Sequence, residues 1–167
     1  GIDLGSNNIR SIQKTEAAMI IGTGVAAAEA GEIWHLLDQR LQMPISKIDI
    51  LNLGRANLNR YNTLIMVSGN YNLLDKTVTD KIKAWVQNGG TLITIKSGSE
   101  WAIRNGFTKE KLLMADSTKG TPVRQLYDNA VYIEGAKAMG GSIFKVEVDT
   151  TNPIGFGLTG KTVSWYR

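Results

Sequence analysis

The chain has 167 residues, 43% of them hydrophobic and 20% charged, which suits one globular domain with a single core and leaves no room for a second complete one. Its formal charge of +4 comes from 19 Lys and Arg against 15 Asp and Glu, and the cations are scattered from Arg10 to Arg167 without a block, so no nucleic-acid partner is expected. The absence of Cys and the presence of one His exclude a Cys nucleophile, oblige any Ser-His-Asp triad to use His35, and leave a zinc site only an all-carboxylate ligand set.

After a polar lead, residues 1–16, which reads as a linker or an irregular edge, the run "AAMIIGTG" predicts a first strand ending in glycines. Apolar side chains at Ala30, Ile33, Trp34, Leu37 and Leu41 then mark a helix from Ala26 to about Leu41, with Glu29, Glu32, Asp38 and Gln39 mostly off the stripe. "SKIDILNL" after Pro44 predicts strand two, and "YNTLIMVSGNY" predicts strand three. Val78, Ile82, Trp85 and Val86 mark a second helix from about Thr77 to Asn88, capped by Thr77 or Thr79 and stopped by Gly89. Lys76, Lys81 and Lys83, the tightest group of cations, read as its solvated face. "TLITIK" predicts strand four. Strands nearly continuous in Val, Ile and Leu, joined through helices, predict an α/β fold with a doubly wound, mostly parallel sheet flanked by helices. Past Gly106 the pattern weakens: "TKEKLLMAD" reads as a helical turn or two, "AVYIE" as a strand, "SIFKVEVDTTNP" as a longer alternating strand and "KTVSWYR" as another. There is no apolar run of the roughly 18 residues a membrane span requires and no retained signal peptide, so the chain reads as soluble.

Open α/β sheets place ligands at the carboxyl ends of their strands, where three loops fall. Gly22-Thr23-Gly24 with Ala27 has a G-x-G-x-x-A spacing that would bring a helix N-terminus toward a phosphate. The acid that would bind a ribose should close strand two, yet Asp49 reads as lying inside that strand and Asn52 as its end. Ser68-Gly69-Asn70-Tyr71 has the glycine that lets backbone amides form an oxyanion hole, or simply permits an unusual turn. The third loop, Lys96-Ser97-Gly98-Ser99, lies between strand and helix where a nucleophile elbow would be, but lacks the G-x-S-x-G spacing around Ser97.

These loops together with "WVQNGGTLITI" resemble the class I glutamine amidotransferase-like domains of flavodoxin-like architecture. In that family the strand ends in G-x-C-x-G with Cys as nucleophile. Laid on "TIKSG", the pattern puts Thr94 on the first glycine, Gly98 on the second and Lys96 in place of the Cys. The His-Pro-Glu partner motif is also missing, since "TTNPIGFG" has Asn152 before Pro153 and Ile154 after it. The resemblance therefore implies a degenerate elbow without glutaminase chemistry. "EAGEIWHLLDQR", within Ala27 to Tyr71, and "GSIFKVEVDTTNPIGFGLTG" carry a narrower resemblance, over about four fifths of the chain, to the amidotransferase-like domain that follows the catalytic domain of secreted bacterial zinc carboxypeptidases. It implies one domain, residues 17–167, of a longer, secreted or periplasmic metallopeptidase. The zinc belongs to the parent's catalytic domain, with no cofactor in this chain. The implied partners are that carboxypeptidase domain and a second copy of the chain.

At 100° per residue His35 lies about 200° from Ile33, away from the core stripe, so Glu29, Glu32 and His35 form a candidate interface if they are not merely solvated. Trp34, Trp85 and Trp101 read as core or rim packing. Lys96, at the end of a buried strand and beside a helix start, reads either as an amine nucleophile or as a long side chain reaching solvent. Three functions follow: a non-catalytic accessory or dimerising domain; a binding module with Gly22, Gly24, Ser68, Gly69, Asn70 and Tyr71 as its pocket; or a repurposed hydrolase using Ser97 or Lys96. A packing module should have a filled pocket, a binder an open polar cleft, and a hydrolase a base within reach of Ser97.

Overall fold

Glu16 is followed by β1 (Ala17–Ile21), in which Ala17 through Ile20 are all buried. A computed structural model describes residues 13–112, 126–137, 143–155, 157–158 and 161–165. They belong to two compact units, residues 1–114 and 115–167.

In the first unit β1 pairs in parallel with β2 (Ile45–Asp49) and β3 (Thr63–Met66), and β3 pairs in parallel with β4 (Thr91–Thr94). The sheet order β2-β1-β3-β4 is that of an open, flavodoxin-like α/β fold, in which strand order reverses between β1 and β3. The helices are α1 (Ala27–Trp34), α2 (Lys76–Gln87) and α3 (Ser97–Arg104).

The apolar strands bury both faces because alternate side chains point to opposite sides. Ala18, Ile20, Leu64 and Met66 enter one core with Ile82 and Trp85 of α2. Ala17, Met19, Ile65 and Val67 enter the other with Ala30, Ile33 and Trp34 of α1. Each large side chain so removed from water contributes about 1.5–3 kcal/mol.

Several boundaries differ from the sequence-based expectation. The first helix is α-helical to Trp34 and then widens into a π-helical turn, His35–Arg40, leaving Leu41 62% exposed and off the apolar stripe. Strand two ends at Asp49, not Leu53: Asp49 Oδ1 accepts the Leu51 amide and caps a 3-10 turn at Ile50–Asn52. Ile50 and Leu53 then point into one core, which a strand could not arrange at that spacing. Asp75, not Thr77 or Thr79, caps α2 through Oδ1 to the Val78 amide at 2.8 Å, while Thr79 is buried. Gly89, at φ +102, stops that helix as expected.

Lys81 is not on a solvated face. Its ammonium donates to the carbonyls of Leu53 (3.2 Å), Gly54 (2.7 Å) and Ala56, tying α2 to the loop after β2. Lys76 pairs with Asp80 at 2.6 Å, and Lys83 lies 5.6 Å above the Phe107 ring. Residues 13–16 run beside β3, with Asn62 accepting from the Glu16 amide and donating to the Lys14 carbonyl. Residues 1–12 of the expected lead lie outside the described residues.

In the second unit, "AVYIE" is helical: it opens α4 (Ala130–Lys137), entered through a 3-10 turn at Tyr127–Asn129. A five-residue run with two β-branched residues, Val131 and Ile133, cannot be told from a helical segment by periodicity alone. Two strands form where expected, β5 (Ile143–Glu147) and β6 (Lys161–Trp165), paired antiparallel, but the first is shorter than "SIFKVEVDTTNP" implied: Asp149 Oδ1 accepts from the Thr151 amide and turns the chain. Of "TKEKLLMAD", residues 108–112 are not helical and the rest lie outside the described residues. No helix among the described residues is long and apolar enough to cross a membrane.

Lys81→Met should destabilise the chain by about 1–3 kcal/mol, because three carbonyls lose a charged donor. Lys83→Met should cost less, and urea unfolding of both variants measures the difference.

Candidate functional site at the strand ends

Three loops meet at the carboxyl edge of the sheet because β1, β3 and β4 run parallel and end close together. Gly22 and Gly24 take φ +105 and +84, turning the chain from β1 into α1. The loop then pairs with the one after β3: the Ala26 amide donates to Ser68 O and the Asn70 amide to Gly24 O, both at 2.8 Å, around a bridge between Val25 and Gly69. A Cβ on Gly24 would lie 2.9 Å from Asn70 O, and one on Gly69 3.0 Å from Gly24 O, so the approach requires glycine on both sides. The crevice where the strand order reverses is stitched by backbone.

The third loop is a sharp turn from strand to helix. Ile95 adds one more ladder bond, to Met66 O, and α3 starts two residues later. Lys96 between them has φ 50 and ψ −118, outside the wells open to an L-residue. Such a conformation costs about 1–3 kcal/mol and persists only where its surroundings impose it. Gly98 is what allows α3 so close, since its Cβ would lie 2.8 Å from Met66 O and 2.9 Å from Val67 O.

Four polar groups converge here. The Lys96 ammonium donates to Glu29 Oε1 at 2.7 Å, and the Ser68 amide to Glu29 Oε2 at 3.0 Å. The Ser97 hydroxyl accepts from the Gly69 amide at 2.8 Å and donates to Gly69 O at 3.1 Å. Glu29 is held below the usual carboxylate range, first by the hydrogen bond from Lys96 and then by Ser68, against burial. Tyr71 is 2% exposed and donates to Val67 O at 2.7 Å; burial, with the Glu29 charge, pushes its phenol up to about 12.

The expected pocket residues are thus brought together but occupied. The amides of Ser68 and Gly69, the oxyanion-hole candidates, already have acceptors. Tyr71 is a core residue, and Asn70 turns its Oδ1 to the Asn72 amide. Ser99 bonds Thr94 Oγ1 at 3.0 Å. Ser97 is bonded to backbone on both sides rather than to a base. Lys96 Nζ lies 2.7 Å from the Glu29 carboxylate, to which it donates.

Glu29 leaves the candidate interface: it turns inward, while Glu32 and His35 are exposed. The sequence reading missed this partnership because the three elements involved are far apart in the chain. The placement of Asp49 is also corrected. It is the last residue of β2 and faces the first loop, its Oδ2 2.6 Å from where a Gly22 Cβ would lie. The position that a ribose-binding acid would take is therefore filled, and the strand boundary drawn too late had hidden it.

Among the described residues, two of the hollows outside the cluster differ in character. An apolar groove of about 340 Å³ runs along α1 over Met19, Ile21, Ala30 and Trp34, with Lys47 Nζ 4.7 Å above the Trp34 ring. A polar cleft of about 430 Å³, lined by Glu16, Asn62, Trp85 and Gly90, opens at the opposite edge of the sheet. Among the described residues no group of three His, Asp or Glu is placed to hold a metal ion.

Comparison with known proteins finds no family model, no curated protein and no solved structure that matches the chain. What the fold and the cluster define is an open, mostly parallel α/β domain whose strand-end groups are bonded to one another.

Two outcomes follow. A carboxylate whose folded pKa is depressed stabilises the fold above its unfolded pKa and loses that contribution as pH falls through the folded one. Glu29→Gln should therefore lower stability near neutral pH, with the gap to wild type closing below the ordinary glutamate range; unfolding curves from pH 7 downward measure it. Gly98→Ala should destabilise, whereas Gly31→Ala, with nothing within 4 Å of its Cβ inside α1, should stabilise by about 0.5–1 kcal/mol in the same assay.

Proposed function

We propose that the chain is a non-catalytic accessory domain, an amidotransferase-like fold without its nucleophile, which serves a secreted or periplasmic zinc carboxypeptidase in interdomain packing or dimerisation. The observation that carries this is Lys96: a strained residue at the turn between β4 and α3 whose side chain is an ion-paired ammonium. In the resembling family that turn presents a thiol. Here the adjacent amides are bonded to Glu29 and Ser97, and the strand-end crevice is closed by backbone pairing. A filled pocket is what a packing module should have. The apolar groove along α1 and the exposed Glu32 and His35 supply surface for a partner domain or a second copy. Zinc would belong to the parent's catalytic domain.

A hydrolase reading would need a base on Ser97, whose bonds go to Gly69. The chain and its Lys96→Ala and Ser97→Ala variants, assayed on ester, amide and glutamine substrates, should show no turnover above buffer, with Lys96→Ala still folded by circular dichroism. Turnover by the wild type that either variant removes would overturn the reading. Its role is read from the parent enzyme with and without residues 1–167. Loss of dimerisation at constant turnover marks an assembly domain, and a raised KM with the oligomer intact marks a substrate-contacting one.

A further inference from the structure

Glu29 makes the contacts of a bound ligand. Its two oxygens are divided between two donors, Lys96 Nζ and the Ser68 amide, which lie 67 and 39 residues away in the chain. The Ser68 amide is positioned by backbone rather than by the carboxylate. Ser68 is fixed through its carbonyl to the Ala26 amide, and Lys96 projects from a turn that Gly98 holds against β3. Glu29 and Lys96 both reach the pair on flexible side chains, Lys96 the more exposed of the two, so the carboxylate can leave without disturbing the Ser68 amide.

We propose that Lys96 and Ser68 form a carboxylate-binding seat, occupied in this structure by the chain's own Glu29 and open to an external monocarboxylate when Glu29 swings out. The class follows from charge and donor count. One ammonium with one backbone amide matches a single negative charge, and a displaced Glu29 remaining close by disfavours a dianion such as phosphate. A small organic acid and the C-terminal carboxylate of a peptide share this chemistry. The seat rests on the non-catalytic reading, since a lysine engaged in covalent turnover would not serve as a fixed cation.

The test uses acetate, which the chain cannot turn over, so its failure is distinct from any activity found with esters. Sodium acetate is titrated against sodium chloride at equal ionic strength, and the Ser68 amide is followed by nuclear magnetic resonance in wild type, Glu29→Ala, Lys96→Met and the double variant. We expect saturable, acetate-specific shifts in Glu29→Ala, about tenfold or more weaker affinity in wild type, where Glu29 competes, and no binding once Lys96 is lost. An N-acetyl dipeptide with a free carboxylate that binds more tightly than acetate, while its C-terminal amide does not bind, assigns the seat to peptide termini. Equal binding of dipeptide and acetate assigns it to small acids. If Glu29→Ala does not fold, the wild-type titration decides, with Lys96→Met as its control. No acetate-specific shift at Ser68 in the folded proteins, or the same shift with chloride, overturns the proposal.

Discussion

Parallel strands that end level send their loops to one edge, and those loops can meet only where side chains are missing. Gly24, Gly69 and Gly98 meet that condition here, each with a carbonyl within about 3 Å of where its Cβ would lie. The backbone bridge between Val25 and Gly69 depends on the first two. The seating of α3 against Met66 and Val67, and with it the strained turn at Lys96, depends on the third. Once these contacts are made, the directions of Ser68, Lys96 and Ser97 are no longer free.

The electrostatics follow from this geometry. Glu29 is partly desolvated, which disfavours its charge, but a charged donor and a backbone amide outweigh that cost and keep it ionised. Its charge also acts on Tyr71, whose phenol stays neutral because it is buried and bonded to a carbonyl. A carboxylate, an ammonium and two serines thus form a local network at an edge where α/β domains commonly hold ligands. Ionic and hydroxyl groups that would serve an exogenous molecule elsewhere are engaged with one another.

Much of the architecture was legible in the sequence because burial on both faces leaves a continuous apolar run. "AAMII" and "TLIM" announce central strands in this way. Gly89 announced the end of α2 through a backbone angle that few other residues adopt. Asp49 and "AVYIE" were misread for related reasons. Ile50 and Leu53 look like a continuing strand until a capping carboxylate bends the chain, and a run of five residues is too short to show a period of its own. Lys81 looked solvated because its carbonyl partners lie in a loop some 25 residues earlier.

By itself the sequence determined the parallel α/β class, the strand-end loops and the absence of a thiol, since these depend on residue type and local period. Only the tertiary structure decided that Glu29 belongs with Lys96 and Ser68 instead of with Glu32 and His35, and that Ser97 bonds to Gly69 and not to a base. Helical periodicity specifies which side of α1 a residue occupies. Which loops lie above that side depends on the order of the strands, and strand order is set by contacts that no local pattern records.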